Sequence, residues 1–160
     1  MKKIATLICT SLALSFAFTA KSQSLLSPDE LVSIRKLNDS SAIDKRFSTF
    51  GYTIGIYGWH YSNKDKVCDW IFQSHPGEYI DFSITRTTDT AGKTKMVYCI
   101  GSLFYYKMFM QSLIKEKYTF AGIDIINKQA SSVFTKGKDC FLVQQRTNSD
   151  KSSYAVIQIE

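Results

Sequence analysis

Two segments of the chain carry apolar residues at helical spacing. The first begins at residues 27–30 (SPDE), where a serine and a glutamate are spaced as in a capping box and a proline occupies the first helical position. The second begins at Ser102 and runs to about residue 117. Its predicted inner stripe consists of Leu103, Tyr106, Met110, Leu113 and Ile114. Residues 41–47 are a candidate for a further short helix.

Elsewhere the apolar period changes to two, which is typical of strands. The predicted strands lie near 51–59, 66–73, 78–87 and 94–101, and again near 119–127, 130–136, 138–147 and 153–159. Short turns rich in glycine, asparagine, aspartate and proline separate many of them, so consecutive strands should pair antiparallel. The pattern therefore predicts an α+β fold with an antiparallel sheet and helices on one face.

The order of the predicted elements (helix, four strands, helix, four strands) suggests two tandem halves, residues 25–101 and 102–160. Residues 77–88 (GEYIDFSITRTT) and 137–148 (GKDCFLVQQRTN) share a glycine, an arginine and a threonine at matching positions. Three identities do not distinguish true repetition from chance. This architecture resembles that of the secreted tandem-repeat β-lactamase inhibitor proteins, which bind an enzyme through a sheet surface. The resemblance is one of element order, without a shared sequence motif.

The first residues have the pattern of an export signal. Two lysines precede an apolar stretch that ends in small residues at Ala20 and Ser22, as in a secretory signal peptide cleaved after Ser22. This interpretation divides the chain into a signal peptide over 1–22 and one globular domain over 23–160. It predicts a secreted or periplasmic protein without a membrane span after cleavage, and it leaves open which of the two locations applies.

Charge and motifs argue against several classes of function. Removal of residues 1–22 lowers the formal charge from +6 to +3, because 17 basic residues then face 14 acidic ones. Without a polybasic stripe, nucleic-acid binding is not expected. The sequence contains no GxGxxG, GxxxxGK[ST], HExxH, GxSxG or CxxC motif. We therefore predict no cofactor, and a non-catalytic function is favoured over an enzyme.

Cysteine and histidine residues are the remaining candidates for chemistry. Cys68, Cys99 and Cys140 follow the signal segment, and an odd count in an oxidising compartment allows at most one internal disulfide, whose pairing the sequence leaves open. The intervals between His60, Cys68 and His75 differ from those of structural zinc sites, so no metal is predicted. A small envelope hydrolase that uses Cys68 or His60 is the least favoured interpretation.

Aromatic placement gives the clearest functional signal. Tyr57, Trp59 and Tyr61 follow one another at a spacing of two around the first predicted strand. Because tyrosine and tryptophan dominate binding hot spots, this pattern predicts an aromatic sheet face that contacts a protein partner. The alternative for these three residues is that a helix covers them as part of the core.

The leading hypothesis is thus an exported, non-catalytic binding protein with an inhibitor-like, immunity-like or envelope interaction role. The alternative is a carrier of small molecules or lipids, with an apolar pocket between sheet and helices. The residues predicted to line that pocket are Phe72, Phe82, Tyr106 and Met110. The partner, the ligand and the oligomeric state are left open by the sequence.

Overall fold

Three helices and nine strands make up the described part of the chain. A computed structural model describes residues 25–74, 80–126, 128–145 and 154–160. The helices are α1 (Pro28–Arg35), α2 (Ser40–Thr49) and α3 (Leu103–Lys115). The strands are β1 (Thr53–Ile54), β2 (His60–Ser62), β3 (Asp65–Phe72), β4 (Phe82–Thr88), β5 (Thr94–Ile100), β6 (Thr119–Ile126), β7 (Gln129–Lys136), β8 (Asp139–Gln145) and β9 (Ala155–Ile159). The predicted signal peptide over 1–22 lies outside the described residues.

All nine strands belong to one antiparallel sheet. The strand order is β1-β3-β4-β5-β9-β8-β7-β6, and β2 also pairs with β3. The last strand of the chain, β9, lies between β5 and β8 and so joins the earlier and the later strands into one sheet. The predicted α+β fold with an antiparallel sheet is confirmed. The internal repeat over 25–101 and 102–160 stays a prediction.

One hydrophobic core lies between the helices and one face of the sheet. Alternate residues of the central strands are buried there: Phe82, Ile84, Met96, Tyr98, Ile100, Ala155, Ile157 and Ile159. The helices contribute Leu31, Val32, Ile34, Ile43, Phe47, Phe109 and Leu113 to the same cluster. The period-two pattern of the strands thus separates a helix-covered face from an open face.

Helix α1 is held at both ends by side-chain hydrogen bonds. At its start the predicted capping box is present, because Ser27 Oγ accepts from Glu30 N at 3.3 Å and Glu30 Oε2 accepts from Ser27 N at 3.0 Å. Beyond its end, the guanidinium of Arg86 on β4 donates to Leu37 O at 2.7 Å. Asp29, in the first turn, accepts from Lys136 Nζ at 2.7 Å, and this hydrogen bond lowers the pKa of the carboxyl group. These contacts fix α1 against the sheet.

The predicted inner stripe of α3 is partly wrong. Leu113 is buried as expected, but Ile114 is 71% exposed and Leu103 is also exposed. The buried line of the helix is formed by Phe109 and Leu113, four residues apart, with Met110 partly buried beside them. Ile114 lies one position further around the helix, and this rotates its side chain into solvent.

The described part of the chain contains three cysteines, of which Cys68 and Cys140 are free thiols. Cys68 is buried on the helix-covered face, and burial raises the pKa of its thiol to about 12. Cys99 and Cys140 are partly exposed. The single disulfide that the odd count allows is therefore not formed among these residues. No helix in the described part of the chain is long and apolar enough to cross a membrane.

Candidate partner-binding loop

A loop between β1 and β2 carries the aromatic residues singled out from the sequence. We call residues 54–61 the edge loop, because the two short strands at its ends both pair with β3 at one edge of the sheet. The prediction of one continuous strand near 51–59 is wrong. The chain leaves the sheet after Ile54, turns, and returns at His60. Gly58 has a φ of +53°, which glycine adopts without strain, and its N–H donates to Gly55 O at 2.9 Å.

The tip of the edge loop is apolar and open to solvent. Ile56 is 92% exposed, Tyr57 is 75% exposed and Tyr61 is 76% exposed. Ile54, where the loop leaves β1, is 46% exposed. Single exposed apolar residues are ordinary on a protein surface, but four large ones within eight positions form a local cluster. The edge loop is therefore an exposed apolar surface.

Trp59 lies at the base of the loop and packs against the core. Its indole Nε1 donates to the Asp44 carboxylate at 3.0 and 3.2 Å. The same carboxylate accepts from Trp70 Nε1 at 3.0 Å, and the two indole rings meet edge to face with centroids 5.3 Å apart. One carboxylate on α2 thus fixes a tryptophan of the loop to a buried tryptophan of β3.

A cation also packs over the Trp59 ring. Lys66 Nζ lies 4.5 Å from the ring centroid and donates to Ser40 Oγ at 2.7 Å. The base of the loop is therefore tied to the start of α2 as well as to its middle. Of the three predicted binding residues, Tyr57 and Tyr61 are exposed, whereas Trp59 is the partly buried support beneath them.

A shallow apolar cavity of about 350 Å³ lies beside the loop, between α2 and the sheet edge. It is lined by Asp44, Ser48, Tyr52, Thr53, Ile54 and Trp70. Two of these residues also belong to the loop region: Ile54 begins the edge loop, and Asp44 holds Trp59 at its base. The exposed loop residues and this cavity therefore adjoin at Ile54, and sequence spacing gave no signal of the cavity.

The residues predicted to line a carrier pocket lie mainly among other aromatic rings. Phe82 is fully buried, and its ring centroid lies 5.8 Å from that of Phe72 and 4.7 Å from that of Tyr105. Tyr106 packs against Tyr154 at 5.5 Å. Met110 is partly buried against the same core. These contacts fill the space between sheet and helices at this position.

The candidates for catalysis and metal binding have separate partners. His60 Nδ1 lies 3.1 Å from Gly58 O, whereas Cys68 Sγ lies 3.8 Å from Asp69 O. A thiol with a pKa of about 12 is almost entirely protonated at neutral pH, which makes it a poor nucleophile. Among the described residues no three histidine, cysteine or acidic side chains are grouped so that they could hold a metal ion. His75 lies outside the described residues.

The open face of the sheet carries a recess that sequence reasoning missed. Its volume is about 350 Å³, and it is lined by Val97, Ile126, Gln129, Leu142, Gln144, Val156 and Gln158. These residues come from five strands that span positions 97–158 of the chain. Only the strand order and the curvature of the sheet bring them together, so no local pattern could have revealed the site.

Comparison with known proteins gives no match for this chain. No protein-family model matches the chain, and no curated protein or solved structure matches it significantly. The resemblance to the tandem-repeat β-lactamase inhibitor proteins therefore stays one of predicted element order.

Proposed function

We propose that the protein is exported and acts by binding a protein partner through the edge loop. The observation that carries this proposal is the pairing of a solvent-exposed apolar tip with an immobilised base. The exposed side chains are those of Ile56 and Tyr57 in the turn and of Tyr61 in β2, and the base is Trp59 held on Asp44. The signal peptide predicted over 1–22 supports a secreted or periplasmic location.

The exposed tip contributes little to the stability of the isolated chain. A side chain that is 92% exposed, as Ile56 is, has almost all of its apolar surface in water. Burial of this side chain becomes a favourable free-energy contribution only when another molecule removes its apolar surface from water. Tyrosine adds a large ring and a hydroxyl group with few rotatable bonds, which is why it is enriched in binding hot spots. The composition of the tip therefore suits a protein interface.

The immobilised base increases the affinity that such a tip can reach. Ordering a flexible loop on binding costs conformational entropy, which subtracts from the binding free energy. The Asp44 carboxylate and Lys66 hold Trp59 from two sides before any partner arrives. The loop is thus preorganised at its base, although its tip is open. This arrangement favours an inhibitor-like or immunity-like contact over a transient encounter.

The other interpretations have less support from the described residues. A carrier with a pocket between sheet and helices would need space where Phe82 is fully buried among aromatic rings. A hydrolase based on Cys68 would need a thiolate that burial disfavours. The apolar tip, by contrast, needs no rearrangement to be contacted.

Replacing Ile56 by glutamate is expected to weaken partner binding by at least about tenfold, because the charge would have to be buried in an apolar contact. The measurement is the affinity of the purified protein for the partner recovered from the native envelope or secreted fraction. Ile114→Glu is the matched control, since this isoleucine is 71% exposed on α3. The proposal is wrong if both variants bind as tightly as the unmodified protein, or if both lose binding equally.

A further inference from the structure

The recess in the open face exists because the far end of the sheet curls over. Gln144 on β8 lies opposite Val156 on β9, and its side chain extends across β7 towards β6. Gln144 Nε2 donates to Ser131 Oγ at 2.9 Å and to Ile126 O at 3.4 Å. Ser131 is fully buried although none of the described helices covers this face. The end of the β6–β7 hairpin therefore forms one wall of the recess.

The floor of the recess carries three aliphatic side chains that alternate with the glutamines of the rim. Val97 of β5 and Val156 of β9 lie on the side away from the hairpin, and Leu142 of β8 is almost fully buried between them and Ile126. None of the lining residues that the structure describes is charged or aromatic. Placing a charged ligand group here would remove it from water without an opposite charge in the lining, which is unfavourable. An uncharged aliphatic group fits the floor.

The rim presents amide groups with unused hydrogen-bonding capacity. Gln144 must point Nε2 towards Ile126 O, because a carbonyl oxygen only accepts, so Gln144 Oε1 is left as an acceptor. In the same way Gln158 donates from Nε2 to Glu160 Oε1 at 2.7 Å and keeps its own Oε1. The side-chain amide of Gln129 makes no hydrogen bond to the described residues, so it offers both a donor and an acceptor. A ligand with N–H and C=O groups complements this rim.

We propose that this recess binds an aliphatic side chain together with its flanking peptide groups, as part of an uncharged peptide segment. The aliphatic side chain occupies the floor formed by Val97, Leu142 and Val156. Its peptide N–H groups donate to the free oxygens of the glutamine amides, and a peptide carbonyl accepts from Gln129. The volume of about 350 Å³ is at the lower end of the range for ligand sites, which suits one residue and its two peptide groups. This site is separate from the edge loop, which lies at the β3 edge of the sheet.

The test uses N-acetyl-leucine N-methylamide as the probe, titrated into the purified protein. Methyl NMR signals of Val97, Leu142 and Val156 are expected to shift saturably. Val97→Phe fills the recess and should weaken binding by at least about tenfold. Thr87→Phe is the matched control, because Thr87 lies on the same open face of the neighbouring strand β4 and outside the recess.

A second variant and two charged probes complete the test. If Val97→Phe does not fold, Gln129→Leu at an exposed position removes the free amide at similar volume and should weaken binding by about fivefold. The N-acetyl N-methylamides of aspartate and lysine should bind at least about fivefold more weakly than the leucine probe. Absence of saturable shifts, equal binding of a charged probe, or equal loss in Thr87→Phe would overturn the proposal. Ile56→Glu should leave probe binding unchanged, which separates this test from that of the edge loop.

Discussion

Replacing Phe82 by alanine is expected to lower the free energy of unfolding by about 4 kcal/mol, the middle of the range for buried phenylalanine. Phe82 is fully buried. Its ring centroid lies 5.8 Å from those of Phe72 and Tyr98, and 4.7 Å from that of Tyr105. Truncation removes these contacts and leaves a cavity that the surrounding rings cannot fill without leaving their positions. Urea unfolding of the purified variant measures the loss.

The control for this substitution is Phe104→Ala. Phe104 lies on α3, is 66% exposed and contacts the ring of Tyr105. We expect it to cost less than about 1 kcal/mol, as is usual for exposed positions. A loss at Phe82 no larger than that at Phe104 would indicate a loosely filled space between sheet and helices. That result would support the carrier interpretation.

Replacing Asp44 by alanine is expected to cost about 3 kcal/mol. The substitution leaves Trp70 Nε1, in an almost fully buried side chain, without its acceptor, and it releases Trp59 at the same time. Hydrogen bonds to a charged group contribute about 1.5–3 kcal/mol each, and an unsatisfied buried donor adds its desolvation cost. Urea unfolding gives the change in stability.

The same substitution should release the edge loop. Hydrogen exchange of the backbone amides over 54–61 is expected to become faster in Asp44→Ala by more than the global loss of stability explains. Lys45→Ala, at the next and exposed position of α2, should change neither quantity measurably. If Asp44→Ala behaves like Lys45→Ala, the carboxylate does not hold the loop.

Features set by local chemistry were predictable from the sequence. The start of α1 depends on four consecutive residues, 27–30, whose side chains satisfy each other's backbone groups, and the capping box is present as predicted. The alternation of β4 is equally local, with Phe82 and Ile84 buried and Ser83 and Thr85 partly exposed. Such features need no knowledge of distant parts of the chain.

Features set by distant contacts were not predictable. The spacing of Tyr57, Trp59 and Tyr61 is the same in a straight strand and in a turn. The chain turns here, and Gly58 adopts the positive φ that this turn requires. The different roles of these residues depend on Asp44, which lies 15 positions before Trp59 on another element. Likewise, the recess needs β9 inserted between β5 and β8, a pairing that no short segment specifies. Spacing thus indicated the functional segment but not which of its residues are exposed.

Site-specific photo-cross-linking shows whether the edge loop contacts a protein partner. A benzophenone side chain is placed at Tyr57, which is 75% exposed, and as a control at Phe104, an exposed aromatic position on α3. We expect a covalent adduct with one protein of the envelope or secreted fraction from position 57. This adduct should be lost when Ile56→Glu is added, and it should not form from position 104. No adduct from position 57, or the same adduct from both positions, would contradict this expectation.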